Sequence, residues 1–346
     1  MLHIVTLLGS LLFVFGIIAG CAAGYPKSDH YDGKEFHNQD TKANASFGDF
    51  LKWVTNRDQG EWSEWNDAEP GPKPPKSVGE GELRVTFVNH ATLLVQINGV
   101  NILTDPIWSE RSSPVSFSGP KRVRPPGIRF EDLPPIDAVI VSHNHFDHMD
   151  LPTLVRLHKA HNPKIYVPLG NRHTLEKEGI ENVFELDWWK SADLSPSVKV
   201  TGVPAQHFSS RGMFDRNNTL WGGYVIESRA GNVYFAGDTG YGPHFEQIAQ
   251  RIGNIRLAML PVGAYLPRWF MSPQHISPDE ALKAHYVLSS VTSVAMHFGT
   301  FPLADDSEHQ GRDRLKEIVA KAEMNGSEFW VLGFGEGRDV PQLKKY

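Results

Sequence analysis

Three histidines and an aspartate, His143, His145, Asp147 and His148, fall within six residues of the run Val141-Ser-His-Asn-His-Phe-Asp-His-Met-Asp150. This stretch restricts the fold more than any other. The apolar Ala138-Val-Ile-Val-Ser142 that leads into it reads as a short buried strand. Just past a strand, residues two apart still share a face, so His143 and His145 can point the same way. Asp147 and His148 come one step later, where the chain turns toward a helix beginning near Leu151. One loop can therefore offer two separate ligand pairs to two metal ions. Imidazole and carboxylate without thiolate suit zinc, with iron and manganese as the other fitting metals.

A histidine-rich surface loop would need no further ligands, yet the chain supplies them at the ends of other apolar runs. His207 follows Val200–Pro204, Asp238 follows Val233–Ala236, and His297 follows Ser293–Met296. Taken alone, His207 reads equally as a core histidine and Asp238 as a turn residue of Gly237-Asp-Thr-Gly240. Together they complete two sites. His143, His145 and His207 would hold one ion, Asp147, His148 and His297 the other, and Asp238 would bridge them. A carboxylate bridge sets two zinc ions about 3.5–4 Å apart, and a metal-bridging hydroxide is then available near neutral pH. No protein nucleophile is required, and no G-x-S-x-G turn is present.

The 346 residues suit one large domain or two small ones, and their hydrophobic share of 40% is that of a globular chain. A formal charge of −6 speaks against nucleic acid as a partner. Residues 1–20 read as a signal peptide, because Ile4 to Ile18 is an apolar run too short for a membrane span. The run closes on Ile18-Ala-Gly-Cys21, which resembles a bacterial lipoprotein cleavage box. Cys21 is the sole cysteine and stands where lipid would be attached; an ordinary signal peptide or an uncleaved anchor are the plainer alternatives. Residues 21–80 read as a flexible polar tether, a short tryptophan-containing amphipathic extension and the Pro-rich linker Pro70–Pro75. Residues 81–346 are then the catalytic domain. Its strands and helices alternate in two similar halves, which predicts an α/β fold: a four-layer αβ/βα sandwich of two mixed sheets with outer helices. The helix at Pro278 has a full start signal, Ser277 as N-cap and Glu280 closing a capping box.

The motif His143-x-His-x-Asp-His148 with its outlying ligands resembles the metallo-β-lactamase fold superfamily. Longer motifs narrow the likeness: Thr104-Asp-Pro106, Ser118-Gly-Pro-Lys-Arg122, Asp187-Trp-Trp189, Pro204-Ala-Gln-His207, Leu220-Trp-Gly-Gly223, Phe235-Ala-Gly-Asp-Thr-Gly-Tyr241, Gly263-Ala-Tyr-Leu-Pro-Arg-Trp-Phe-Met271 and His297-Phe-Gly-Thr-Phe301. These resemble the N-acylphosphatidylethanolamine-hydrolysing phospholipase D family, over residues 81 to about 337. The resemblance implies a zinc phosphodiesterase that cuts N-acylphosphatidylethanolamine to phosphatidic acid and an N-acylethanolamine. It implies catalytic roles for Asp147, Asp238 and His275, and substrate contacts from Gln274, His275 and Tyr265. It also implies a homodimer. Phe146 stands where animal members carry tyrosine.

Other readings compete. The same zinc pair would serve a lactonase or other small-ester hydrolase, and a non-catalytic zinc-containing surface lipoprotein is an alternative of another class. With Cys21 lipidated, the chain is expected to be exported and anchored at the periplasmic face of the outer membrane or at the cell surface, meeting phospholipid there. Several further features admit two readings each. Arg122, Arg124 and Arg129 would meet phosphate head groups or lie in a solvated loop. Trp188, Trp189, Trp269 and Phe270 would line an acyl groove or, more commonly, pack into the core. Gly333-Phe-Gly-Glu-Gly337 mimics a phosphate loop but lacks a following helix, and so reads as a turn near the site mouth.

Overall fold

The computed structural model describes residues 24–39, 46–324 and 326–343. The stretch expected to be a signal peptide and Cys21 lie outside them. Two seven-stranded sheets form the interior. The first contains β1 (Leu83–Asn89), β2 (Thr92–Ile97), β3 (Val100–Thr104), β4 (Ala138–Ile140), β5 (Lys164–Pro168) and β6 (Val183–Leu186) in that order. The second contains β7 (Ser191–Ser195), β8 (Val198–Val203), β9 (Gly223–Ser228), β10 (Asn232–Phe235), β11 (Ile255–Pro261), β12 (Thr292–Met296) and β13 (Glu328–Trp330). A last strand, β14 (Gly337–Asp339), returns to the first sheet and pairs antiparallel with β1. Each sheet is antiparallel in one half and parallel in the other, with β3 to β6 and β10 to β13 the parallel halves.

The period-two pattern of β2 explains the layering. Leu93, Val95 and Ile97 face the second sheet in the larger core, whereas Leu94 faces the opposite way, into a smaller core with Leu154 and Leu157 of α2 (Leu151–His161). Both faces are buried, which is why these strands read as continuous apolar runs. α3 (Arg172–Glu176) joins that outer layer through Leu175. On the far side, α4 (His244–Arg251), α6 (Pro278–Val287) and α7 (Gln310–Lys321) cover the second sheet through Phe245, Ile248, Ala281, Ala284 and Leu315. The four layers match the expected sandwich. The capping box at Ser277 and Glu280 forms as read.

The segment ahead of the domain departs from expectation. Residues 24–39 were predicted as a flexible tether, yet Tyr31 and Phe36 are buried against Trp188 and Trp221. Aromatic residues in a polar run help to dock it, because each removes a large apolar area from water. α1 (Phe47–Thr55) forms as read and stacks Trp53 on Phe270 of α5 (Arg268–Met271), at 5.0 Å between ring centroids. The Pro-rich linker is docked too: the Gly71 N–H donates to Gly127 O, and Gln96 Nε2 to Pro75 O. Trp62 donates to Asp306 O, while Trp65 stays exposed. β14 is polar throughout, and β7 alternates only through Ala192 and Leu194; neither strand was foreseen.

Candidate metal centre

All the candidate ligands stand on loops at one end of the sheets. β4 ends at Ile140, and the loop to α2 carries His143, His145, Asp147 and His148. His207 follows β8, Asp238 follows β10, and His297 is the first residue past β12. His297 sits in the left-handed backbone region at φ 62°, which turns its ring back toward the cleft. Gly263 passes close beside it: a Cβ there would lie 2.0 Å from His297 O, so only glycine fits.

The structure brings the seven predicted ligands together in overlapping groups: His143 with His145 and His207, His143 with His148 and Asp238, and Asp147 with His148 and His297. Asp238 lies between the sets, with Oδ2 3.1 Å from His148 Nε2 and Oδ1 3.2 Å from His297 Nε2. Asp147 Oδ2 is 3.1 Å from His148 Nε2 and 3.6 Å from His297 Nε2. His143 Nε2 and His145 Nδ1 converge to 2.7 Å, and His207 Nε2 lies 3.4 Å from the same His145 atom.

The second ring nitrogen of most ligands is already engaged. His148 Nδ1 meets Asp105 Oδ2 at 2.6 Å, His143 Nδ1 meets Ser142 Oγ at 2.9 Å, and His207 Nδ1 meets Gln274 O at 2.9 Å. Such outer contacts fix which nitrogen faces the cleft. Asp105 is central. Fully buried, it also accepts from the Ser142 N–H and Oγ–H, so it pins the start of the ligand loop and one ligand together.

Two residues enlarge the predicted set. His275 joins His207 and Asp238, with Nδ1 3.9 Å from Asp238 Oδ2. His90, in the tight turn between β1 and β2, was not among the expected ligands, but its Nε2 stands 2.9 Å from Asp147 Oδ2 and it belongs to the group with His148 and His297. Its signal was a histidine in a turn between two largely buried strands, where a turn residue has no reason to carry an ionisable ring.

Electrostatics separate the members. Burial drives His90, His207 and His275 down to about 3 and His145 to about 4, so these rings are neutral, the form that ligates metal. Burial opposes ionisation of Asp147 and Asp238, but the His148 charge and the contacts from the other histidines together outweigh it and hold both well below the usual carboxylate range. The cluster thus sets two ionised carboxylates among buried imidazoles. His148 Nε2, Asp238 Oδ1, His275 Nδ1 and His297 Nε2 have no hydrogen-bond partner among the described residues, although all are buried. Buried polar atoms are seldom left so. Orphaned nitrogens and oxygens converging on one cleft fit a pair of divalent ions.

The beta-lactamase superfamily domain matches residues 100–298. An N-acyl-phosphatidylethanolamine-hydrolyzing phospholipase D 1 of Caenorhabditis elegans is 38% identical over 270 residues, spanning 74% of this chain and 76% of that protein. The chain belongs to the N-acylphosphatidylethanolamine-hydrolysing phospholipase D family. The protein of that name, termed mitochondrial, in Saccharomyces cerevisiae is 34% identical over 68% of this chain and 51% of its own length. Among solved structures, a metallo hydrolase from Ignicoccus hospitalis superposes with a TM-score of 0.56 at 21% identity, covering 75% of this chain and 99% of that one; it shares the fold. The family member described here is a metal-dependent hydrolase of the metallo-β-lactamase fold.

The remaining predicted positions separate. Gln274 meets the site through its main-chain oxygen, and its side chain turns to Met271 Sδ. Tyr265 is buried, and burial with the charges of Asp306 and Asp279 pushes its hydroxyl up to about 12; those residues, not Asp147 or Asp238, are its electrostatic surroundings. Arg122 neither meets head groups nor lies in a solvated loop: buried, it donates to Ser109 O and Ile107 O and braces the long loop. Arg124 stacks over Phe334. Trp188 and Phe270 pack into the interior, and Trp269 is half exposed beside Lys52. Phe146 lies under the Arg211 guanidinium at 4.1 Å.

Proposed function

We propose that this protein hydrolyses a phospholipid diester of the N-acylphosphatidylethanolamine type to phosphatidic acid and an N-acylethanolamine, using two zinc ions. The observation that carries the proposal is the pair of ligand sets joined by Asp238, with unpartnered ring nitrogens aimed between them. His143, His145 and His207 would hold one ion, Asp147, His148 and His297 the other, and Asp238 both. A metal pair in that position supplies a water of lowered pKa and positive charge for the phosphoryl oxygens. The protein's own part is to hold the His143, His145 and His207 rings neutral by burial, to keep Asp147 and Asp238 ionised, and to present the His275 ring beside Asp238 as a hydrogen-bond donor to a phosphate or leaving-group oxygen.

A cavity and exposed apolar side chains beside the ligand loop support the substrate class. A cavity of about 330 Å³ lies between the 109–116 loop and Phe146, Asp150 and Arg211, next to the ligand loop. Phe117, Met213 and Phe214 project from the two flanking loops at 81%, 90% and 87% exposure, apolar side chains in a position to meet acyl chains. Among the described residues no helix is long and apolar enough to cross a membrane. Attachment through a lipidated Cys21 is the companion proposal, tested by mass spectrometry of the N-terminal peptide.

The experiment is to purify the full chain in mixed micelles, count its metal, and identify the products from N-acylphosphatidylethanolamine by mass spectrometry beside Asp147→Asn. The expected result is two zinc ions, phosphatidic acid with N-acylethanolamine, and at least about a hundredfold loss in the variant, the cost of removing a metal-site group. Lactone opening without phosphodiester cleavage would replace the substrate class and leave the site standing.

A further inference from the structure

The N-terminal strap, residues 24–39, reaches the metal centre. Tyr25 Oη donates to Glu185, and the His30 ring stacks on Trp188 at 4.3 Å with Nε2 2.7 Å from Asp187. Phe36 is buried, and its N–H donates to Asn217 O. The strap then delivers Asn38 to the backbone of His207. Asn38 Nδ2 donates to His207 O at 2.7 Å, and Asn38 Oδ1 accepts from the His207 N–H at 3.0 Å and from Trp221 Nε1–H at 3.0 Å. The amide orientation is dictated by its partners, because a flip would set an NH₂ group against two N–H donors.

His207 lies past the end of β8, where no ladder pairs its backbone. A side-chain amide, 169 residues away in sequence, takes both its N–H and its C=O as a neighbouring strand would. The ring is then fixed by one contact, Nδ1 to Gln274 O. The other ligand set has different supports: the His297 N–H donates to His90 O, and His148 is held by Asp105.

We propose that Asn38 is a positioning residue for His207, and that its own contacts to the His207 backbone, not the docking of the rest of the strap, govern retention of the one ion held by His143, His145 and His207. The proposal rests on the dinuclear reading above. Removing Asn38 leaves a buried N–H and C=O unpaired, and the loop moves to rehydrate them, which displaces His207 Nε2. Outer-shell contacts of this kind change metal affinity about 10–100-fold.

The test compares the full chain with Asn38→Ala, Asn38→Asp and, as a control that loosens the strap far from His207, Tyr25→Phe. Each is loaded with zinc, and release to a chromophoric chelator is followed in time, beside the melting temperature of the zinc-free protein. Asn38→Ala should release one of two zinc ions about 10–100-fold faster, with the second ion at the wild-type rate. Asn38→Asp keeps both accepted hydrogen bonds, loses the donated one and should fall between, so it serves if the alanine variant does not fold. Wild-type release from both Asn38 variants, faster loss of both ions together, or equal acceleration by Tyr25→Phe would each overturn the proposal. Wild-type protein that binds fewer than two zinc ions would instead sink the dinuclear reading beneath it, a result visible before any variant is made.

Discussion

At the scale of the residue, the site depends on side chains that touch no substrate. Asp105 is the clearest. It binds His148 and both donors of Ser142, and lies wholly out of solvent. Burial raises its pKa, and the His148 charge and the His148 and Ser142 hydrogen bonds oppose that rise. Asp105→Ala is expected to destabilise the protein by about 3–5 kcal/mol, the cost of breaking a buried ion pair and leaving one partner unmatched. Denaturant melts check this, and a change below about 1 kcal/mol would show that His148 finds another partner. Metal content should fall in the same variant. His90 is the other such residue, close to Asp147 with its ring held neutral by burial.

At the scale of the element, the strap and the ligand loops decide more than the strands do. Burial pulls His30 down, but its hydrogen bonds to Asp187 and Asp29 and their charges outweigh that, so its folded pKa stands above the unfolded value near 6.5. The sign follows by linkage: the strap's docking is fully supported below about pH 6.5 and loses this contribution as pH rises through the folded pKa. Hydrogen exchange of residues 28–39 should therefore quicken, relative to the rest of the protein, as pH is raised across that window. His30→Gln should flatten the relative change. Equal pH response in both proteins would show that His30 protonation adds nothing to the docking.

For the whole molecule, two half-parallel sheets place four strand ends and one tight turn at a common rim, so ligands from residue 90 to residue 297 meet in one cleft. That convergence concentrates two carboxylates and buried imidazoles. An ion that binds the folded state alone stabilises it by about 2.7 kcal/mol when present at a hundredfold over its dissociation constant. Stripping zinc should accordingly lower the melting temperature by several degrees, and restoring zinc should recover it, as differential scanning fluorimetry would record. An unchanged melting temperature would mean that the cleft is no more stable when filled.

Much of this was legible from sequence because metal chemistry admits few residue types and the strands before the ligands are plain apolar runs. His143, His145, Asp147, His148, His207, Asp238 and His297 needed only that rule, and the buried sheets needed only continuous Val, Ile and Leu. What tertiary structure alone decided were contacts between residues far apart whose local sequence is unremarkable. Asn38 sits in a polar tract, Asp105 reads as a strand-ending Asp-Pro, and Arg122 reads as a loop cation. β14 is a polar edge strand, identified by pairing and not by pattern, and β7 has only Ala192 and Leu194 to mark it. The physical reason is the same in each case. A ligand's identity is set by its own chemistry, whereas a positioning contact is set by where the backbone of another element leaves a donor or acceptor unpaired, and only the assembled fold creates that need.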